Sequence, residues 1–268
     1  MRRTIMCLTA WLFAAAALRA DDSASVRLAD GFGLPVGIDN GKGYYKARGM
    51  RPNGHLGEDW NGKGGGDTDL GDPVFSTAIG IVVYAQDFRA GWGNVVIVRH
   101  AYMERGDVRF VDSLYGHLDS ILVREGQRVS RGQKVGTIGT AHGHYPAHLH
   151  FEMRKNIHVG MFRSMFPRDY SAYFDPTQFV VTHQSPGGEG RMADVPLNTF
   201  PNQTNYRYAQ TGVTSRPIAA SEPARTTSGI RWSVSNPGAL VNSPTSKKTK
   251  TDPKGPFKVD RFEDLRRR

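Results

Sequence analysis

Cysteine is almost absent from this chain of 268 residues. The one copy, Cys7, sits in the apolar stretch 4-TIMCLTAWLFAAAAL-18, behind the basic start Met1-Arg2-Arg3. That stretch is short and rich in small residues, which suits a secretory signal better than a membrane span. Cleavage after Ala17 meets a small-x-small pattern, and Ala20 before Asp21-Asp22 offers a second position, so residues 1–20 are expected to be removed on export. The exported product then holds no cysteine, which excludes a disulfide, a thiol nucleophile and cysteine-ligated zinc. Any metal has to be held by His, Asp or Glu.

Apolar residues are also sparse, at 38%, so segments outside a packed core are expected. Acidic residues are outnumbered, 25 against 35 Lys and Arg, and the formal charge is +10. Such a charge suits nucleic acid, an anionic membrane surface or an acidic polymer, and does not choose among them. Export and the absence of a nucleic-acid motif speak against nucleic acid.

Long helical periodicity is missing between residues 43 and 180. Glycine is frequent instead, with 31 copies, several of them in 61-NGKGGGDTDLGD-72. Residues 73-PVFSTAIGIVVYA-85 read as one or two strands broken near Gly80. The β-branched run 94-NVVIVRH-100 and the segment 108-VRFVDSLYGHL-118 read as further strands, and the charged excursion 102–112 as a projecting hairpin. The predicted fold is a mostly β, antiparallel sheet domain over 43–180 with long loops. Residues 21–42 read as an irregular lead-in. Residues 185–268 hold nine of the 15 prolines and 14 Lys/Arg against seven Asp/Glu, and read as a basic, flexible extension.

The chemistry gathers in three places. In 147-AHLHFEM-153, His148 and His150 share one face of a short strand, with Leu149 and Phe151 on the other. In 53-NGHLGEDW-60, His55 and Asp59 are four residues apart. The surrounding glycines oppose a helix, and an extended chain also puts those two on one side. His117 ends a strand in 114-LYGHLDS-120. Two imidazoles and a carboxylate suit zinc, and a hydrolytic site needs further groups to move protons. The residue types alone leave open which histidine does which task. Alone, each motif is more often incidental than functional. His142 and His144 are expected to be solvent-exposed, His100 to be structural, and Glu152 to support the His148/His150 face through a hydrogen bond or salt bridge. By strand alternation Tyr115 would share the face of His117.

Taken together, the motifs resemble the M23-type, LytM-like (lysostaphin-like) zinc metallopeptidases. The HxGxD element stands as His55-Leu56-Gly57-Glu58-Asp59, the Tyr-x-His element as Tyr115-Gly116-His117, and the HxH element as His148-Leu149-His150 before Phe151-Glu152. Tyr145-Pro146-Ala147 departs from the tight Gly-Pro lead common before HxH in that family and would reshape one groove wall. The resemblance implies a duplicated, antiparallel β-sheet motif around a zinc groove. It implies one Zn2+ per chain on His55, Asp59 and His150, with His117 and His148 as the catalytic imidazoles. A zinc-bound water would attack a peptide bond of bacterial peptidoglycan. It further implies a periplasmic or extracellular envelope protein. A monomer is expected, with the basic tail weakly touching anionic envelope polymers. The alternative is a catalytically silent wall-binding protein or a regulator of a cell-wall amidase.

Overall fold

The computed structural model describes residues 22–37, 40–51, 54–89, 91–161, 166–167 and 169–201. The expected signal segment, residues 1–20, and residues 202–268 of the expected basic extension lie outside the described residues.

The β-branched run around residue 96 forms the centre of the sheet. Strands β6 (Gly93–Glu104) and β7 (Asp107–Ile121) make a long antiparallel hairpin. Its turn is Arg105-Gly106, with φ of 52° and 91°. Positive φ at both positions matches the right-handed twist of the flanking strands. On one side β6 pairs with β5 (Gly80–Arg89), and β5 with β8 (Arg128–Val129). On the other side β7 pairs with β10 (Leu149–Arg154), β10 with β3 (Glu58–Gly62) and, at its end, with β11 (Tyr173–Phe174), and β3 with the edge strand β2 (Tyr44–Arg48). β4 (Pro73–Phe75) and β9 (Lys134–Ile138) attach to the far end of β7. The antiparallel β domain expected from the sequence is the fold observed.

One sheet face packs Trp60, Val96, Tyr115, Leu149 and Phe151 into the main core. The other face packs Val95, Ile97 and Leu114. It is covered by β1 (Ser23–Arg27) and β12 (Met192–Pro196), a separate antiparallel pair carrying Val26 and Val195. This corrects two expectations. Residues 22–37 are not an irregular lead-in: they supply β1, and Phe32, Leu34 and Val36 enter the main core. The extension does not begin at 185, because the described fold continues through β12 to residue 201. The partner strands are about 170 positions apart in sequence, so no local pattern announces the pairing. The turn of helix α1 (Pro176–Thr182) had a readable start: Asp175 caps it by accepting from Gln178 N, and proline stands at its first position.

Candidate metal centre

Beyond Leu114 the second sheet face loses its cover and opens as a groove of about 250 Å³. Here β10 lies between β3 and β7, and His150 pairs across the ladder with Asp59 on one side and Gly116 on the other. His55 reaches the same point from a bridge with Arg51 just before β3. The HxxxD spacing therefore closes through extended chain. Gly57 makes this approach possible: a Cβ there would lie 2.5 Å from Phe151 O and 2.8 Å from Glu152 Cγ.

Three acceptor atoms converge. His55 Nε2 is 2.9 Å from Asp59 Oδ1 and 3.1 Å from His150 Nδ1, and His150 Nδ1 is 3.0 Å from Asp59 Oδ1. The opposite ring nitrogens are already engaged. His55 Nδ1 donates to Gly49 O at 2.9 Å, and His150 Nε2 donates to Glu152 Oε1 at 2.9 Å. Two neutral imidazoles thus point lone pairs at a carboxylate, an arrangement that demands a cation or a proton in their midst. The same demand shows in the affinity of the His150 ring for a proton. Burial pulls the His150 imidazolium down, but Asp59 and Glu152 on either side overcome it and raise its pKa to about 9. Burial works against the Asp59 carboxylate too, yet the His150 and His55 rings beside it hold it well below the usual range. A tetrahedral zinc with bonds of about 2.0–2.1 Å sets its ligand atoms roughly 3.3 Å apart, close to the separations here. The cluster is able to coordinate a metal ion, and it is the one such His/Cys/Asp/Glu group among the described residues.

Two more imidazoles border it. His148 and His117 have ring centroids 4.8 Å apart, and His117 is 5.5 Å from His150. Each is anchored at Nδ1 by a backbone carbonyl: His117 to Trp92 O at 3.2 Å, His148 to Pro146 O at 2.8 Å. Donation from Nδ1 turns each Nε2 toward the groove, where His148 Nε2 stands 3.7 Å from Asp59 Oδ1. Burial, with His150 and His148 beside it, pushes His117 down to about 3, so this ring stands neutral.

The family model for Peptidase family M23 matches residues 54–160. Over 86 residues the chain is 42% identical to Lipoprotein NlpD of Yersinia enterocolitica, a match covering 31% of this chain and 78% of that protein. The chain belongs to peptidase family M23. It is also 41% identical over 86 residues to the murein hydrolase activator NlpD of Escherichia coli strain K12, and 37% to the peptidoglycan DD-endopeptidase ShyA of Vibrio cholerae. Those matches take 31% of this chain, but only 20% and 18% of the two proteins. Among solved structures, a zinc-containing peptidase from Vibrio cholerae is 29% identical with a TM-score of 0.36, over 47% of this chain and 37% of that one. Membership rests on the sequence matches and not on the superposition.

In this M23 domain a bulge decides which β7 side chains reach the groove. Gly116 and His117 together stand opposite Val95, between the pairs Val96↔Tyr115 and Asn94↔Leu118. His117 takes a φ of 62°, an uncommon conformation for a non-glycine residue. Alternation breaks there, so Tyr115 does not share the face of His117. Tyr115 is fully buried on the core side, where its hydroxyl accepts from Thr77 N and meets Ser113 Oγ, both at 2.8 Å. The groove walls come from residues that the motifs did not mark. Trp92 packs its ring 5.3 Å from His150 and Phe166 sits 6.1 Å from Trp92. The turn residues Gly91-Trp92-Gly93 were the only sequence signal. Tyr145, from the departure before HxH, does form a wall, with its ring 4.9 Å from His117. His142 and His144 are exposed, as expected, and His142 meets Asp87 at 3.0 Å. Glu152 supports His150 and is itself held by Arg154 Nε at 2.6 Å.

Proposed function

We propose that this protein is a zinc-dependent endopeptidase that hydrolyses peptide crosslinks of bacterial peptidoglycan. The observation that carries the reading is the convergence of three lone-pair atoms within 3.1 Å of one another, flanked by two imidazoles anchored at Nδ1 by backbone carbonyls. His55 Nε2, Asp59 and His150 Nδ1 hold one zinc ion. When bound, zinc polarises the scissile carbonyl and acidifies water at its open position. His117 and His148 take a proton at Nε2, support the developing negative charge as donors, and return the proton to the leaving amine. Trp92 and Tyr145 wall the groove and orient the peptide.

The proposed setting is the bacterial envelope, in the periplasm or outside the cell, with the protein acting as a monomer. The basic extension holds anionic polymer loosely, so removing residues 202–268 should weaken sacculus binding at low salt and change little at high salt. The name of the Escherichia coli relative raises a second reading, a silent activator of another hydrolase. The intact ligand and imidazole set favours hydrolysis, because an activator has no need of it. Mature protein, residues 21–268, is incubated with crosslinked muropeptides of defined chemistry, zinc-loaded or chelated, and the products are weighed by mass spectrometry. Zinc-dependent new amines at a crosslink are expected. Intact crosslinks with zinc bound at one per chain would reject the enzyme reading.

A further inference from the structure

Two histidines one residue apart are held in different ways. His150 lies inside the ladder, paired with Asp59 on one side and Gly116 on the other. His148 stands one residue before β10 begins. An isolated bridge ties it to Gly139, and its N–H reaches Gly139 O at 3.3 Å, a long bond. The sheet therefore fixes the candidate metal ligand more firmly than the imidazole beside it.

The His148 ring takes its orientation from one peptide unit. Pro146 O accepts from His148 Nδ1 at 2.8 Å, and a carbonyl can only accept, so Nδ1 carries the ring proton. The N–H of the same unit belongs to Ala147 and donates to Asp67 Oδ1 at 2.7 Å. The peptide is trans, so its two groups point in opposite directions and turn together. The Asp67 carboxylate, the Pro146–Ala147 plane and the His148 ring thus form one line of hydrogen bonds. A carboxylate accepting from the N–H strengthens the carbonyl as an acceptor, because bonds in a chain polarise one another. Asp67 is itself held, in the glycine-rich connection between β3 and β4. Leu70 N donates to Asp67 O at 3.1 Å, and Asp69 Oδ2 accepts from Gly62 N at 2.9 Å. From β3, Asn61 Nδ2 reaches the next carbonyl, Ala147 O, at 3.3 Å. The line needs an N–H at residue 147. Proline there, as in a Gly-Pro lead, would have none to donate.

We propose that Asp67 is a positioning residue that acts through the Pro146–Ala147 peptide to set the orientation and tautomer of His148. Its consequence for turnover rests on the endopeptidase reading above; its consequence for the ring does not. Zinc-loaded wild type and Asp67 variants are compared by turnover on crosslinked muropeptides and by two-bond nitrogen–proton correlation spectra of the His148 ring at alkaline pH. Asp67→Ala should keep its zinc, lower kcat about 5–30-fold, the worth of one hydrogen bond converted to rate, and leave KM within about twofold. Asp67→Asn still offers an acceptor and should recover most of the loss. The ring spectrum should show the Nδ1–H tautomer in wild type and a mixture of tautomers in Asp67→Ala. In a His148→Ala background Asp67→Ala should cost nothing more, whereas a merely structural residue would add its own loss. An additive loss, or a ring tautomer unmoved in Asp67→Ala, would overturn the role of Asp67. If wild type cleaves no crosslink, the endopeptidase reading falls and the ring spectra still decide whether Asp67 sets His148.

Discussion

Strand β7 has a buried histidine network on each side, and the two are built on opposite rules. On the core side His100 is closed. Its Nδ1 donates to Ile79 O at 2.9 Å, so Nε2 must accept from Ser113 Oγ at 2.8 Å. The serine proton is then used, and the Tyr115 hydroxyl supplies the proton between Tyr115 and Ser113 while accepting from Thr77 N. Every proton has one place, and burial holds His100 neutral by lowering its pKa to about 4. On the groove side His55, Asp59 and His150 are open: acceptors face acceptors, and only a shared proton or a cation satisfies all three. Burial is common to both networks, as is hydrogen bonding. What separates a structural histidine from a metal ligand is whether the proton inventory closes.

The largest effect should come from the open network. His150→Ala removes a ligand and should abolish stoichiometric zinc, with turnover falling by about 10³-fold or more, as expected when the metal's charge stabilisation is lost. His117→Ala should keep its zinc and lose about 10²–10⁴-fold in kcat, the range for a general acid or base. Metal analysis beside turnover separates the two, and wild-type turnover in both variants would dismantle the site as assigned.

The closed network should speak through pH instead. The folded pKa of His100, about 4, lies below its ordinary 6.5. The unfolded chain therefore binds the extra proton first. The contribution is fully present above pH 6.5 and is lost as pH falls through 4, amounting to about 3 kcal/mol. Denaturant unfolding of zinc-free wild type and His100→Leu across pH 7 to 4 isolates it. Parallel stability curves would show that His100 is not held neutral by the fold.

The smallest effect should fall on the link between the sheet and the open network. Along the second sheet face run Arg99, Asp112, Arg154, Glu152, His150 and Asp59, mostly alternating in charge and all buried. Arg154 donates Nε to Glu152, and Nη1 to the carbonyls of Val159 and Gly160 at 2.9 and 3.1 Å. Glu152 in turn orients His150 so that Nδ1 faces the cluster. Glu152→Gln should weaken zinc affinity about 10–100-fold by competition titration, without removing a ligand. Unchanged affinity would make Glu152 a partner of Arg154 only.

Much of this was legible beforehand because it is local. Period-two alternation put His148 and His150 opposite Leu149 and Phe151, and β-branched runs marked β5, β6 and β7. Glycines on both sides of His55 ruled out a helix there. The absence of cysteine confined any metal to His, Asp and Glu. Tertiary structure decided whatever depended on a partner far along the chain or on a break in alternation. The β1–β12 pair joins segments whose own patterns are weak, because burial comes from the sheet they cover. The bulges at Gly116-His117 and before Arg48 reverse the face on which a side chain emerges, and a period-two reading carries no mark of them. The ring nitrogens that face one another are likewise a tertiary result. Which tautomer each imidazole adopts is set by carbonyl and carboxylate groups that only the folded sheet and its loops bring within reach.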